Sequence, residues 1–569
     1  MKYAQAYKLQ FNFALFFAIV MSLSASIRPY LTKTAIDDHI MLKDYEGLIF
    51  IITLMFLVIA VEVIILYGYI YLANWLGQKI VKDIRDSLFK YMLSFRMQYY
   101  DKNPIGSLVT RVVSDIETIS EIFGQGLLMI ISDVLKMMVV LVIMFYVNWQ
   151  LAMIVVMVLP ILAYATRVFQ KNIKSAFQSV RNEVARLNSF VQEHISGMRI
   201  VQLFVREEQE FNKFKEINKR HMKAHIRSVW YYSIFFPIAE LLSSVALGLV
   251  VWYGGVQSVT TQAVTLGELI AYINLIQLLF RPLRQLADKF NVLQMGMVSA
   301  ERVFAIFDTD SHISKDGEYC SKVMKGHISF EKVSFEYLEN HSVLKDVSFS
   351  VKPGEMVAIV GATGAGKSTI INILNRFYEY NSGTVSIDNV KIEDYSLKCL
   401  REHIAVVLQD VFLFSDSIIN NITLKGDVSE EDVIKAAKEI EIHEFIDSLP
   451  NKYHYNVRER GAMLSVGQRQ LLSFLRAYVS NPSILILDEA TSSVDTYSEK
   501  LIQRATEKIT QNRTSIVIAH RLATIRKANR IIVLDNGKVV ETGSHEELYA
   551  KNGFYRKLYE HQFKDDLVN

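Results

Sequence analysis

Cysteine is almost missing from this chain: Cys320 and Cys399 are the two it has in 569 residues. So sparse a pair builds no disulfide framework, and neither cysteine stands in a CxxC spacing, which excludes the disulfide-rich secreted classes and zinc ribbons. A reducing cytosol is the expected compartment for the part that carries them. An excess of charge of one sign is also lacking. Lys plus Arg number 62 against 59 Asp plus Glu, a net +3, which leaves no footprint for a nucleic-acid binder or a disordered polyelectrolyte. What is abundant is apolar. Hydrophobic side chains make up 51%, too greasy and too long a chain for one ordinary soluble domain.

A helix crossing the hydrocarbon core of a bilayer, about 30 Å, needs about 20 apolar residues. Stretches of that kind lie at residues 9–27, 48–72, 127–147, 151–169, 234–253 and 266–280, so six spans are predicted. Spans three and four are separated only by Asn148-Trp149, which reads as a tight turn joining a helical hairpin. A cleaved signal peptide is the alternative for the first stretch, but its apolar run exceeds the about 7 to 15 residues typical of such segments, and no A-x-A site follows a basic start.

Cations set the orientation. The segment between spans two and three carries Lys79, Lys82, Arg85, Lys90, Arg96, Lys102 and Arg111, and the one between spans four and five is still more basic, whereas residues 254–267 carry none. Positive-inside places both termini in the cytoplasm. The two basic segments hold little Pro or Gly and show apolar residues at helical spacing, such as Phe190, Ile195, Val201 and Phe204, so they read as helices projecting beyond the bilayer. Most of those cations would sit on solvated faces.

Beyond residue 300 the texture changes. Residues 326–351 alternate β-branched and aromatic runs with turn residues, and apolar runs at 356–360, 484–487, 514–518 and 531–534 are separated by polar helical stretches. This is the rhythm of an α/β domain of about 240 residues. The predicted architecture is a polytopic α-helical membrane domain with six transmembrane helices and long cytoplasmic extensions (1–302), a polar linker (303–325) and an α/β P-loop domain (326–569).

The run 356–360 enters Gly361-Ala362-Thr363-Gly364-Ala365-Gly366-Lys367-Ser368-Thr369 and then the apolar-periodic stretch 370–377. G-x-x-x-x-G-K-[ST] thus stands in the strand–loop–helix setting that its chemistry requires. The glycines let backbone N–H groups curl around phosphate oxygens at a helix N-terminus, Lys367 reaches the terminal phosphates, and the Ser368 hydroxyl can ligate Mg²⁺. Downstream, 484–487 ends in Asp488-Glu489, one carboxylate for the Mg²⁺ shell and one to polarise an attacking water. Two adjacent acids at a strand end are also common without such a role. His520 follows the strand 514–518 at a place from which it could reach a γ-phosphate, although a lone His is more often structural.

The order Tyr337, GATGAGKST, Gln409, LSVGQ (464–468), ILILDEATSSVD (484–495) and IAHRL (518–522) resembles the ATP-binding cassette proteins. Six spans ahead of such a cassette resemble the family's exporter branch, and residues 95–119 look like its first cytoplasmic loop. The resemblance implies that Tyr337 stacks on adenine, that Lys367 and the loop 361–368 hold phosphates, and that Ser368, Gln409 and Asp488 serve Mg²⁺. It makes Glu489 the general base and His520 the γ-phosphate sensor. It also implies that Ser465, Gly467 and Gln468 face the ATP of a second half-transporter, so that two chains close on two nucleotides. Short coupling helices are implied near residues 97–103 and 202–211, docking on the cassettes.

Two departures from the family pattern stand out. The signature reads LSVGQ where the family has LSGGQ, and Val466, β-branched, cannot take φ > 0 cheaply and adds bulk near a phosphate. With Glu489 intact beside a weakened signature, a heterodimer is expected over a homodimer. Arg458 replaces the usual Gly before Glu459. For substrate, Glu62 and Glu240 are costly intramembrane acids. They suggest cationic amphiphiles, or pair with polar neighbours. No peptidase segment precedes the first span, which speaks against a leader-processing peptide exporter. Multidrug export of hydrophobic or amphiphilic molecules across the cytoplasmic membrane is the expected function, lipid flipping its close alternative; membrane lipid is a partner and nucleic acid is not. A nucleotide-gated channel or regulatory subunit would share the architecture without needing Glu489, Gln409 and His520.

Overall fold

The computed structural model describes residues 5–312, 316–424, 426–488, 496–519 and 521–562. They form two compact units, one of Met1–Leu93 with Pro104–Asp310, the other of Ser94–Asn103 with Ser311–Asn569.

The first unit is helical throughout. Its elements are α1 (Lys8–Thr34) and α2 (Tyr45–Leu93); then, past the short α3 (Met97–Lys102) of the second unit, α4 (Ile105–Thr110), α5 (Ile116–Glu121), α6 (Leu128–Val147), α7 (Trp149–Ser196), α8 (Met198–Leu203), α9 (Glu207–Thr260) and α10 (Leu266–Phe307). Among the described residues six helices are long and apolar enough to cross a membrane, as the sequence predicts. Helices α2, α7 and α9 have 49, 48 and 54 residues, or about 70 to 80 Å at 1.5 Å per residue, more than twice the bilayer core. The last helix runs through Phe307, into the segment read as linker.

Lipid tails are as apolar as leucine, so span packing relies on close approach rather than on hydrophobic burial. Helix α1 accordingly buries small residues, Ala14, Ala18, Ser22, Ala25 and Ser26, while Phe13 and Phe16 face outward. The Ser22 hydroxyl donates to the Ala18 carbonyl at 2.7 Å. The predicted corner at Asn148 is a single residue between α6 and α7. Its Oδ1 accepts from the N–H groups of Gln150 and Leu151 at 3.1 and 3.3 Å, capping α7, and the Tyr272 hydroxyl donates to the Asn148 carbonyl. Between α4 and α6 the helix is interrupted by π-turns at Arg111–Asp115 and Ile122–Leu127.

The second unit is α/β. Strands β1 (Ile328–Glu336), β2 (Ser342–Val351), β4 (Ser382–Ile387) and β5 (Val390–Lys391) form an antiparallel sheet in the order β2-β1-β4-β5. Strands β3 (Met356–Gly361), β6 (Ile404–Val407), β7 (Ile484–Asp488), β8 (Thr514–Ile518), β9 (Arg530–Asp535) and β10 (Lys538–Gly543) form the other, ordered β10-β9-β3-β8-β7-β6 and parallel apart from β10. Its helices include α11 (Lys367–Leu374), α12 (Leu397–His403) and α13 (Val466–Val479), of which α11 lines the site.

Parallel strands buried on both faces read as unbroken apolar runs. Their side chains nevertheless alternate between two cores: Val357, Ile359, Ile484, Ile486 and Ile516 enter one, Ala358, Val360, Leu485, Leu487 and Val517 the other. The expectation about cysteine is corrected in one respect. Cys320 and Cys399, 79 residues apart, are joined by a disulfide with Cα atoms 5.5 Å apart, a proximity that no local spacing announces.

Candidate functional site

In open parallel sheets, ligands bind beyond the carboxyl ends of the strands. Three such ends deliver predicted residues, and a fourth strand lies between two of them. Strand β3 runs into the P-loop, β7 ends on Asp488, β6 is followed by Gln409, and β8 lies between β3 and β7. Two strand spacings of about 4.8 Å therefore separate the phosphate loop from the acid. A cavity of about 480 Å³ is lined by Tyr337, Thr363, Gly364, Gly366, Lys367, Ser368, Thr369, Gln409 and Asp488, with Val343 and Ile518 completing the wall.

The loop geometry explains its glycines at two positions. Gly366 has φ +101° and caps α11, and a Cβ there would lie 2.6 Å from Leu344 Cδ2. Gly364, at φ +84°, faces open space, so only its backbone conformation demands glycine. Lys367 Nζ donates to the carbonyls of Gly361 and Ala362 at 2.8 and 3.0 Å and is buried. Burial pushes its ammonium down while the Asp488 carboxylate opposes that shift. Burial likewise pushes the Asp488 carboxyl up, Lys367 pulls it back, and Asp410 adds to the rise. Two carboxylates offset by one ammonium suit a cation held between Asp488, Ser368 and Gln409. Among the described residues no three His, Cys, Asp or Glu side chains are grouped so as to hold a metal ion by themselves.

Tyr337 is held from several sides. Its hydroxyl donates to Thr369 Oγ1 at 3.2 Å and accepts from Asn372 Nδ2 at 3.1 Å, and its ring meets Phe335 and Tyr378 edge-on at 4.7 and 4.9 Å. Glu489 and His520 lie outside the described residues.

Ser465, Val466, Gly467 and Gln468 do not line this cavity. Ser465 is the N-cap of α13: its hydroxyl accepts from the Gln468 N–H at 3.2 Å, and Gln468 Oε1 accepts from the Ser465 N–H at 2.9 Å, a complete capping box. This overturns half of the reasoning about Val466. It is the first residue of an ordinary α-helix and has no positive φ, so its β-branch costs nothing in the backbone. What remains is bulk, a side chain 47% exposed at a helix N-terminus. Arg458 is the reverse case. Its φ of +61° with ψ −173° is a region that glycine occupies freely and other residues rarely.

Sequence reasoning missed the partners of α3. Tyr99 is buried, the Tyr378 hydroxyl donates to the Asp101 carboxylate, and Arg96 pairs with Glu379 at 3.3 Å. The aromatic run Phe377–Tyr380 just past α11 was the available signal. Tyr378 thereby touches both α3 and Tyr337. The other predicted tip, α8, leaves Ile200, Leu203, Phe204 and Val205 exposed. Glu210 beside it binds His194, Arg206 and Lys213 at 3.0, 3.1 and 2.9 Å.

The two suspected membrane acids are paired. Glu62 meets Arg28 at 3.3 Å and Glu240 meets Arg284, while Asp133 meets Lys289. The expectation that Glu62 and Glu240 serve cationic substrates therefore yields to its alternative: their charges are already compensated. Among the described residues, Lys136 and Arg281 make no ion pair, and the charges acting on Lys136 are those of Glu62, Asp133, Arg281 and Arg28.

Comparison with known proteins adds the following. Residues 11–283 match the family described as the ABC transporter transmembrane region, and residues 344–492 match the ABC transporter family. A putative ABC transporter ATP-binding protein, exp8, of Streptococcus pneumoniae is 38% identical over 98% of this chain and 96% of its own length. An ATP-dependent lipid A-core flippase of Syntrophus aciditrophicus is 34% identical over 100% of this chain and 94% of its own. The uncharacterized ABC transporter ATP-binding protein YknV of Bacillus subtilis is 37% identical over 86% and 81%.

Proposed function

The chain belongs to the ABC transporter family, and from that membership we propose that it is half of an exporter moving amphiphilic molecules across the cytoplasmic membrane by alternating access. It is a membrane protein and an ATPase coupled to transport. The observation that supports the reading best is the cavity in which Tyr337, Lys367, Ser368, Gln409 and Asp488 converge, with Tyr378 linking Tyr337 to α3.

In this reading Tyr337 stacks on adenine, and the backbone of 361–368 with Lys367 holds the phosphates. Ser368, Gln409 and Asp488 hold Mg²⁺, which when bound neutralises phosphate charge. Glu489 accepts a proton from the attacking water and His520 senses the γ-phosphate. Ser465, Gly467 and Gln468 serve the nucleotide of a second ABC half-transporter, since they lie apart from this chain's own cavity. The bulk of Val466 beside that second phosphate favours a heterodimer. ATP clamped between the two cassettes favours their closed pair, and hydrolysis removes that bias. The exposed apolar tip at α8 offers the second chain a docking site.

Among the described residues of the spans Glu62, Asp133 and Glu240 are paired with cations, while Lys136 and Arg281 make no ion pair. About 12 residues, or 18 Å of helix, separate Lys136 from the Asn148 corner, near the middle of a bilayer. An anionic amphiphile fits these charges better than a cationic drug. Lipid flipping thereby gains over multidrug export, in keeping with the flippase names of relatives such as that of Syntrophus aciditrophicus. The deciding experiment follows ATP-dependent movement of fluorescent phosphatidylglycerol and of a cationic dye in inverted vesicles carrying this chain and its partner, with Glu489→Gln as control. Movement of the anionic lipid, lost in the control, is expected. Hydrolysis with movement of neither probe would sink the reading.

A further inference from the structure

A second cavity lies in the helical unit, far along the chain from the nucleotide motifs. Its volume is about 370 Å³, and it opens between the end of the π-turn at Asp115, helix α7 and helix α10. Three cations, Lys174, Arg181 and Arg302, line it with one acid, Asp115. Asp115 is buried and already occupied. It accepts from the Ser299 hydroxyl at 3.2 Å and faces Arg302 at 3.8 Å. Among the described residues Lys174 and Arg181 have no carboxylate partner, so two positive charges remain uncompensated at one opening. The rest of the wall includes Phe177, Met295 and Val298, an apolar surface beside the cations.

Depth adds a second, independent constraint. Lys174 lies 25 residues and Arg181 32 residues beyond the start of α7 at the Asn148 corner, about 38 and 48 Å along the helix. Val298 stands about 48 Å from the start of α10. A bilayer with its headgroups is about 40 to 45 Å thick. If the corner marks the outer face, the cavity opens at the cytoplasmic headgroup layer, where anionic lipids concentrate and each nearby Lys or Arg strengthens their binding. Next to the lining residue Met295, a Cβ on Gly296 of α10 would fall 2.2 Å from the Ile122 side chain, so α10 and the second π-turn pack closely there.

We propose that this cavity binds a phosphoryl group, with Lys174 and Arg181 as its ligands and Arg302 neutralising Asp115. A phosphate-bearing lipid headgroup of the inner leaflet is the source that its depth and apolar wall fit. The proposal rests on the exporter reading for orientation, and it gives the anionic substrate or a bound lipid an entry point between the fourth and sixth spans.

The test uses the full chain with its partner in nanodiscs, without ATP. One arm counts phosphatidylglycerol retained from a mixture with phosphatidylcholine by native mass spectrometry; the other titrates soluble glycerol phosphate. Wild type should retain the anionic lipid selectively. Lys174→Gln and Arg181→Gln should each weaken retention about fivefold, and the pair about twenty- to thirtyfold. The charge-keeping pair Lys174→Arg with Arg181→Lys should restore it, which separates lost charge from lost folding. Displacement by glycerol phosphate at equal affinity would keep the phosphoryl chemistry and remove the lipid as its source. Equal retention by wild type and the double Gln variant, or no retention in either arm, overturns the site. ATP-driven transport measured separately would then still stand or fall on its own.

Discussion

Replacing Tyr378 by Phe tests whether α3 and the nucleotide pocket are mechanically one piece. The substitution removes one hydroxyl, the donor to Asp101, and keeps the ring that meets Tyr337 edge-on at 4.9 Å. Burial, reinforced by the Asp101 carboxylate, pushes the phenol above its ordinary range, so it donates at any pH at which the protein functions. A hydrogen bond to a charged acceptor is worth about 1.5 to 3 kcal/mol. Asp101 is itself exposed, which brings the figure down to about 1 kcal/mol, or roughly fivefold in an equilibrium between two states of the pair. ATP affinity should change less than about twofold, because the Tyr337 ring proposed to stack on adenine is untouched. The stimulation of hydrolysis by the transported molecule, a lipid in the proposed reading, should fall about fivefold, and Asp101→Asn should do the same. The double variant should be no worse than either single one, since both remove one interaction. Steady-state ATPase with and without lipid, beside fluorescent-nucleotide titration, reads all three. Stimulation at the wild-type level in both single variants, or effects that simply add, would refute a link through this contact.

Other consequences are more local. Lys367→Met should abolish hydrolysis and weaken ATP binding by about thirtyfold or more, the value of about 2 kcal/mol for charged hydrogen bonds to phosphate; unchanged affinity in equilibrium titration would remove Lys367 from the site. Val466→Gly should raise the turnover of a complex containing this chain several-fold if bulk at the N-terminus of α13 is what slows it, and an unaltered rate would undercut the heterodimer argument. Arg458→Gly should relieve a strained backbone worth about 1 kcal/mol and raise the cassette's unfolding midpoint by about 2 to 4 °C; a lower midpoint would mean that the Arg458 side chain contributes more than its backbone costs. Under oxidising conditions Cys320 and Cys399 close a loop spanning 79 residues, worth about 4 to 5 kcal/mol in the chain-entropy account. Reductant or Cys320→Ser should therefore lower that midpoint, and two freely titrating thiols in the oxidised protein would contradict the bond.

What was legible in the sequence is what short segments encode alone. The phosphate loop is contiguous, its glycines answer local backbone demands, and the strand before Asp488 announces itself as an apolar run, whereas the strand Ile404–Val407 before Gln409 was not read from the sequence. Parallel pairing then brings them to one edge of the sheet. Long spans were equally plain, because a helix in lipid must satisfy its backbone internally and cover itself with apolar side chains. Relations between distant residues were not legible. Asp101 and Tyr378 are 277 positions apart, Cys320 and Cys399 79 apart, and nothing in the neighbourhood of either partner names the other. The positive φ assumed for Val466 failed for a related reason: the signature begins a helix rather than a turn, a distinction that the capping box from Ser465 to Gln468 makes and that the missing glycine obscured.

The charges of the spans carry the same lesson to substrate choice. An isolated intramembrane acid looks functional because its desolvation is costly, yet that cost is partly offset once a cation from another helix lies at 3.3 Å, as Arg28 does of Glu62. What then remains unexplained is the cations left over. Lys136 and Arg281 at mid-depth, with Lys174 and Arg181 about 20 Å or more farther along the helices, are four positive groups with no carboxylate partner among the described residues. Lys174 and Arg181 are exposed at headgroup depth and need no partner, but Lys136 and Arg281 at bilayer depth do, and an anionic headgroup entering past the first two toward the middle would supply one. Neutralising Lys136 and Arg281 together should therefore slow movement of an anionic lipid while sparing its retention at the entry cavity. Equal loss of both would mean that the two groups of cations act as one site rather than in sequence.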